Sequence, residues 1–197
     1  MDRRETLKLL ALAPFAFTLS PSDARLAAGK VRVAREDDSF AAQFFTDEEM
    51  ESVRILVDMI IPADDRSGSA TDVGVPAFMD SIMNVRPVMQ TPMRGGLAWL
   101  NSYAEERFGV SFAEASDEQR RALLDAIAYP DDADPELLHG VAFFNSFRDL
   151  TASGFWTTRD GMEDLGYMGN TFVAEWTGAP DGEIERLGLG RATWDTV

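Results

Sequence analysis

The chain contains no cysteine, a single histidine, and no lysine after Lys30. Each shortage removes a class of function. Without Cys there is no disulfide, no thiolate metal site, no thiol nucleophile and no covalent haem attachment. His139 stands alone between Leu138 and Gly140 on a predicted helix. Such a residue is read as packed or surface-exposed rather than as a base, and it has no second His with which to ligate a metal. Phosphate-cradling loops need a Gly-rich turn with a Lys, and none is present. Gly188-Leu189-Gly190 lacks both a preceding βαβ unit and the third Gly of a dinucleotide fingerprint. Long hydrophobic runs are missing too: Leu9 to Leu19 is the longest apolar stretch and falls short of the ~20 residues that span a bilayer.

Positive charge is scarce in most of the chain. The 197 residues carry 18 Lys or Arg against 34 Asp or Glu, a formal net charge of −16. Up to Arg35 there are seven basic and three acidic residues; from Glu36 onward, eleven Arg face thirty-one acids. A body this acidic repels nucleic acid phosphates and anionic lipid. The plain reading is a solvated acidic surface, and the sharper one is a docking face for a basic partner. The densest carboxylate cluster, Asp131, Asp132, Asp134 and Glu136, does not have the spacing of a calcium loop. Asp134-Pro135 is better explained as a helix start.

The basic N-terminus has a recognisable order. Arg3-Arg4-Glu5-Thr6-Leu7-Lys8 precedes the apolar run, and a small-residue stretch ending in Leu26-Ala27-Ala28-Gly29 follows it. This is the layout of a bacterial export leader, over residues 1–28. Arg3, Arg4, Leu7 and Lys8 fit the twin-arginine type, which carries folded proteins. Thr6 stands where such leaders usually have a large apolar residue, and Leu26 is large for the third position before a cut. The competing reading is an amphipathic first helix that packs on the domain. Residues 29–43 read as an extended tether.

An apolar content of 45% is ample for a core. From residue 44 to 197 the periodicity predicts a mostly α domain of five to six helices. Thr46 with Glu49 forms a capping box before Met50, Val53, Leu56, Val57 and Ile60, and Pro62 stops that helix. The loop from Ala63 to Ser69 is polar and flexible in composition. Further helices are expected over Val75–Met83 and Met93–Phe108, the latter closed by Gly109. Ser116 with Gln119 opens another, closed by Pro130. Asp134-Pro135 opens a longer one to about Thr151, ended by Gly154. Residues 154–197 are Gly- and aromatic-rich, with one short helix near Arg159–Leu165. So long an irregular segment is uncommon unless it is functional or docked.

Three blocks give the chain a family resemblance. They are the Arg3-Arg4 leader; Phe45-Thr46-Asp47-Glu48-Glu49 through Ile61-Pro62-Ala63-Asp64 and on to Gly74-Val75-Pro76-Ala77-Phe78-Met79-Asp80; and Gly154-Phe155-Trp156-Thr157, Asp164-Leu165-Gly166-Tyr167-Met168-Gly169-Asn170 and Trp176-Thr177-Gly178-Ala179-Pro180. In this order they resemble subunit 3, the small or gamma subunit, of gluconate 2-dehydrogenase and related flavin-dependent sugar dehydrogenases. The resemblance implies a non-catalytic accessory subunit with no cofactor of its own. FAD would lie in a large catalytic partner of the glucose–methanol–choline type that lacks a leader. The small subunit would bind it and supply the twin-arginine signal for both, through the twin-arginine translocase. In the periplasm, where the complex can be membrane-associated, electrons often pass to a cytochrome c subunit.

Aromatic residues and Met dominate interface cores. Phe155, Trp156, Tyr167, Met168, Phe172 and Trp176, with Asn170 in a turn among them, are therefore expected at the partner interface. Their alternative is to pack on the chain's own helices. Two other readings compete for the whole chain. One is a free-standing periplasmic binding or structural protein. The other is a cofactor-independent enzyme using two converging carboxylates.

Overall fold

The computed structural model describes residues 20, 22–27, 29, 40–167, 169, 172, 174–175, 178–179 and 181–188. It divides the chain into two units, Met1–Gly166 and Tyr167–Val197. Among the described residues the secondary structure is helical throughout, as the sequence predicts.

The first unit is a helical body. Helix α1 (Asp47–Ile60) starts at the expected capping box: the Thr46 hydroxyl accepts from the Glu49 N–H, and the Glu49 carboxylate accepts from the Thr46 N–H. Its inward stripe is Met50, Val53, Leu56 and Val57. Helix α2 (Val75–Val85) has Pro76 in its first turn, where the missing N–H has no helical partner to lose. Nearly all of α2 is buried, including Asp80.

A 3-10 turn, Pro87–Met89, leads into α3 (Gln90–Phe108), which ends at Gly109 with a left-handed φ of 75°. Helix α4 (Asp117–Ala128) opens on the Ser116–Gln119 capping box. A second 3-10 turn, Pro135–Leu137, capped by Asp134, leads into α5 (Leu138–Trp156). Thr158 caps the short α6 (Arg159–Asp164).

Helix α5 is the centre. It packs against α1, α2, α3, α4 and α6 and buries Val141, Phe143, Phe144, Phe147, Leu150 and Phe155. A reciprocal fit sets its approach to α3. A Cβ on Gly96 would lie 1.9 Å from Phe143, and a Cβ on Gly140 would lie 2.1 Å from Trp99. Each helix gives up one side chain to seat the other's aromatic ring. The pairs 96 with 143 and 99 with 140 run in opposite directions, so the helices are antiparallel.

Four expectations change. Helix α3 begins at Gln90 rather than Met93, because Pro92 sits in the first turn and does not obstruct it. Helix α5 runs on to Trp156 rather than stopping at Gly154. Gly154 is a contact residue: a Cβ there would lie 2.8 Å from the Phe78 ring. The loop after α1 is organised, not merely polar. Asp64 Oδ1 accepts from the N–H groups of Arg66 and Ser67 at 2.9 Å, and the Arg66 guanidinium pairs with Asp164 at 2.9 Å. Finally, residues 22–27 are helical, with Ala24 and Ala27 in the core.

Among its described residues, the second unit has one short helix, α7 (Asp181–Arg186), which the sequence pattern did not predict.

Candidate functional site

Two places in the chain are candidates for function: the point where the tether meets the body, and the aromatic residues from the end of α5 onward.

The first is a polar clasp. The Asp80 carboxylate is 2% exposed and accepts three backbone N–H groups, from Gln43 at 2.9 Å, Phe44 at 2.9 Å and Phe45 at 3.0 Å. Such charge-assisted bonds to main-chain donors are among the stronger ones in proteins. Arg94, on α3, closes the clasp from the other side. Its guanidinium donates to the Phe44 carbonyl at 2.6 Å, lies 4.4 Å from the Phe44 ring centroid and reaches Glu49 at 3.4 Å. The segment before α1 is thereby tied to α2 and α3, and Phe44 and Phe45 are pressed into the core. Sequence reasoning missed Asp80 in this role. The signal was available: it is the one carboxylate in the apolar run Val75-Pro76-Ala77-Phe78-Met79-Asp80-Ser81-Ile82-Met83.

The second place holds the residues expected at a partner interface. Phe155 is a core residue, 1% exposed, with its ring edge-to-face on Trp156 at 4.9 Å. Trp156 is half-buried against the same core. Tyr167 and Phe172 are exposed, at 63% and 90%. Met168, Asn170 and Trp176 lie outside the described residues, as do Arg3, Arg4, Leu7 and Lys8. Helix α6 adds two residues that sequence reasoning passed over. Met162, within it, and Leu165, its C-cap three residues on, are 41% and 60% exposed. An apolar pair at that spacing in a helix otherwise rich in charge was the clue.

Elsewhere several titratable groups serve structure. The His139 ring packs edge-to-face on Trp99 at 4.8 Å. A groove of about 460 Å³ between α1 and α4 is lined by Ile55, Asp58, Met59, Pro62, Asp117, Arg120 and Arg121. Three of its polar groups are committed to the fold. Asp58 accepts the Thr71 N–H at 2.7 Å, while Arg120 donates to the Phe112 and Ala113 carbonyls and pairs with Asp117 at 3.0 Å. The backbone N–H groups of Arg66 and Ser67 hold the Asp64 carboxyl below its ordinary pKa, which marks a turn rather than a proton-transfer site. The Ser111 hydroxyl and N–H do the same for Glu114. Among the described residues no group of three or more acids or His is placed to hold a metal ion, and no helix is long and apolar enough to cross a membrane.

The family model for gluconate 2-dehydrogenase subunit 3 matches residues 47–175. The match takes in α1 to α6 and continues past Gly166 through Tyr167 and Phe172. No curated protein and no solved structure matches the chain. With most of its length covered, the chain belongs to the gluconate 2-dehydrogenase subunit 3 family, one of the subunits of a dehydrogenase complex.

Proposed function

We propose that this chain is the non-catalytic small subunit of a periplasmic, FAD-dependent sugar or sugar-acid dehydrogenase complex. It stabilises a large catalytic subunit of the glucose–methanol–choline type, which holds the flavin, and its leader exports both through the twin-arginine route.

One observation carries most of the weight. The family match does not stop where the helical body stops. It continues to residue 175, through a stretch in which Tyr167 and Phe172 are exposed. Exposed aromatic residues outside a core are better suited to recognition than to folding. That stretch supplies aromatic anchors for a protein partner. The committed polar groups of the body fit a subunit that leaves the chemistry to its partner. The Arg3-Arg4 leader fits a route that carries a folded pair.

The test is co-expression with a leaderless flavoprotein of that type. A stable complex with flavin absorbance is expected, and no flavin is expected on this chain purified alone. Replacing Arg3 and Arg4 by Lys should strand both proteins in the cytoplasm. A flavoprotein that reaches the periplasm unchanged beside that variant would refute shared export. One that is active and stable without this chain would refute the accessory role.

A further inference from the structure

We propose that the C-terminal end of the leader is built into the folded body, so that the leader stays attached after export. The inference rests on the export reading for its setting, and on the docked segment for its substance.

Residues 22–27 form a short helix begun by Ser20. The Ser20 carbonyl accepts the Ala24 N–H at 3.1 Å, and its hydroxyl accepts the Asp23 N–H at 3.2 Å. Ala24 and Ala27, three residues apart, face inward at 9% and 0% exposure and belong to the main core. Between them, Leu26 points outward, 53% exposed. The Asp23 carboxylate is paired with the guanidinium of Arg86, at the end of α2. The Ser20 hydroxyl and then Arg86 hold that carboxyl below its ordinary pKa.

The small residues here therefore have a packing role. The same letters, Leu26-Ala27-Ala28 before Gly29, read in sequence as a cleavage site. A peptidase binds the residues before a cut as an extended strand along its own edge. Residues 22–27 are helical instead, and Ala27 is wholly buried. To be read, the helix has to unwind, Ala27 has to leave the core, and the Asp23–Arg86 pair has to break. Cutting then waits on local opening of the fold. A twin-arginine passenger arrives folded, so the docked state is the one the peptidase meets.

The experiment must separate docking from a merely poor cleavage motif. Leu26→Ala supplies a small residue three before the cut, at an exposed position that leaves the docking face intact. The full chain is expressed in a host competent for twin-arginine export, and the periplasmic product is read by intact mass. The wild type and Leu26→Ala are both expected to begin at the leader. Leu26→Ala combined with Ala24→Asp, or with Arg86→Gln, is expected to be cut before Gly29 about tenfold faster or more, because the segment is undocked. Efficient cutting of Leu26→Ala alone overturns the proposal, and so does failure of both undocked variants to be cut. If no chain reaches the periplasm, export fails but docking is still decided by hydrogen exchange on the purified full chain. Slow exchange at residues 24–27, lost in Arg86→Gln, supports docking; exchange at the free-peptide rate refutes it.

Discussion

Helix α5 carries Phe143, Phe144, Phe147 and Phe155, and all four are buried. The segment after Gly166 carries Tyr167 and Phe172, and both are exposed, Phe172 at 90%. Residue type is the same in the two regions; what differs is the frame around it. In α5 the rings are packed into the core, and Phe143 sits where Gly96 leaves room. In the segment that holds Phe172, Gly169 and Gly178 have left-handed φ angles of 70° and 90°. Aromatics set in a helical stripe are for the core. Aromatics in a Gly-rich frame, left exposed as Tyr167 and Phe172 are, remain available for other contacts.

This contrast can be broken at its strongest point first. Asp80→Ala leaves the N–H groups of Gln43, Phe44 and Phe45 without their acceptor, and is expected to cost about 3 kcal/mol in denaturant unfolding of the chain. A loss below the error of that measurement would show the clasp to be ornamental. Next are the seats beneath the rings: Gly96→Ala and Gly140→Ala are each expected to cost about 2 kcal/mol by forcing Phe143 or Trp99 out of place. Pairing Gly96→Ala with Phe143→Leu should restore part of the loss, which a purely local helix effect would not allow.

The tail should behave in the opposite way. Phe172→Ser is expected to leave the unfolding free energy within about 0.5 kcal/mol of wild type. The same variant is expected to weaken co-purification with the flavoprotein about tenfold, equivalent to roughly 1.4 kcal/mol. Lost stability with unchanged partner binding would reverse the assignment.

The smallest effect concerns the loop after α1. The folded Asp64 carboxyl titrates below its ordinary value of 3.8. A depressed folded pKa contributes stability above the unfolded value, and that contribution is lost as pH falls through the folded one. Between pH 5 and pH 8 the loop should therefore be insensitive to pH, and Asp64→Asn should remove the acid-limb dependence below about 3.8. Carboxyl chemical shifts followed through an acid titration read it directly.

How much of this was legible beforehand depended on the range of the interaction. The caps at Thr46–Glu49 and Ser116–Gln119 and the stop at Gly109 are local, and each lies where the pattern put it. Gly154 was misread because a glycine that ends a helix and one that admits a neighbouring ring look alike in sequence; Phe78 decides between them, from 76 positions away. Asp80 was missed for the same reason: its three donors lie 35 to 37 residues upstream. The loop at Asp64–Ser67 looked flexible because polarity was visible and the partner Asp164, 98 residues on, was not. Among the residues expected at an interface, composition could not separate Phe155, in the core, from Phe172, which is exposed.

The clasp also decides how the chain would take tension. The segment before α1 is bonded to Asp80, and the helix at 22–27 is paired with Arg86; both residues belong to α2 or its cap, the most completely buried stretch of the body. A pull on the N-terminus therefore meets two successive restraints that converge on the same internal strut. The first to yield is the ion pair with its short helix. The second is three main-chain hydrogen bonds to a carboxylate inside the core.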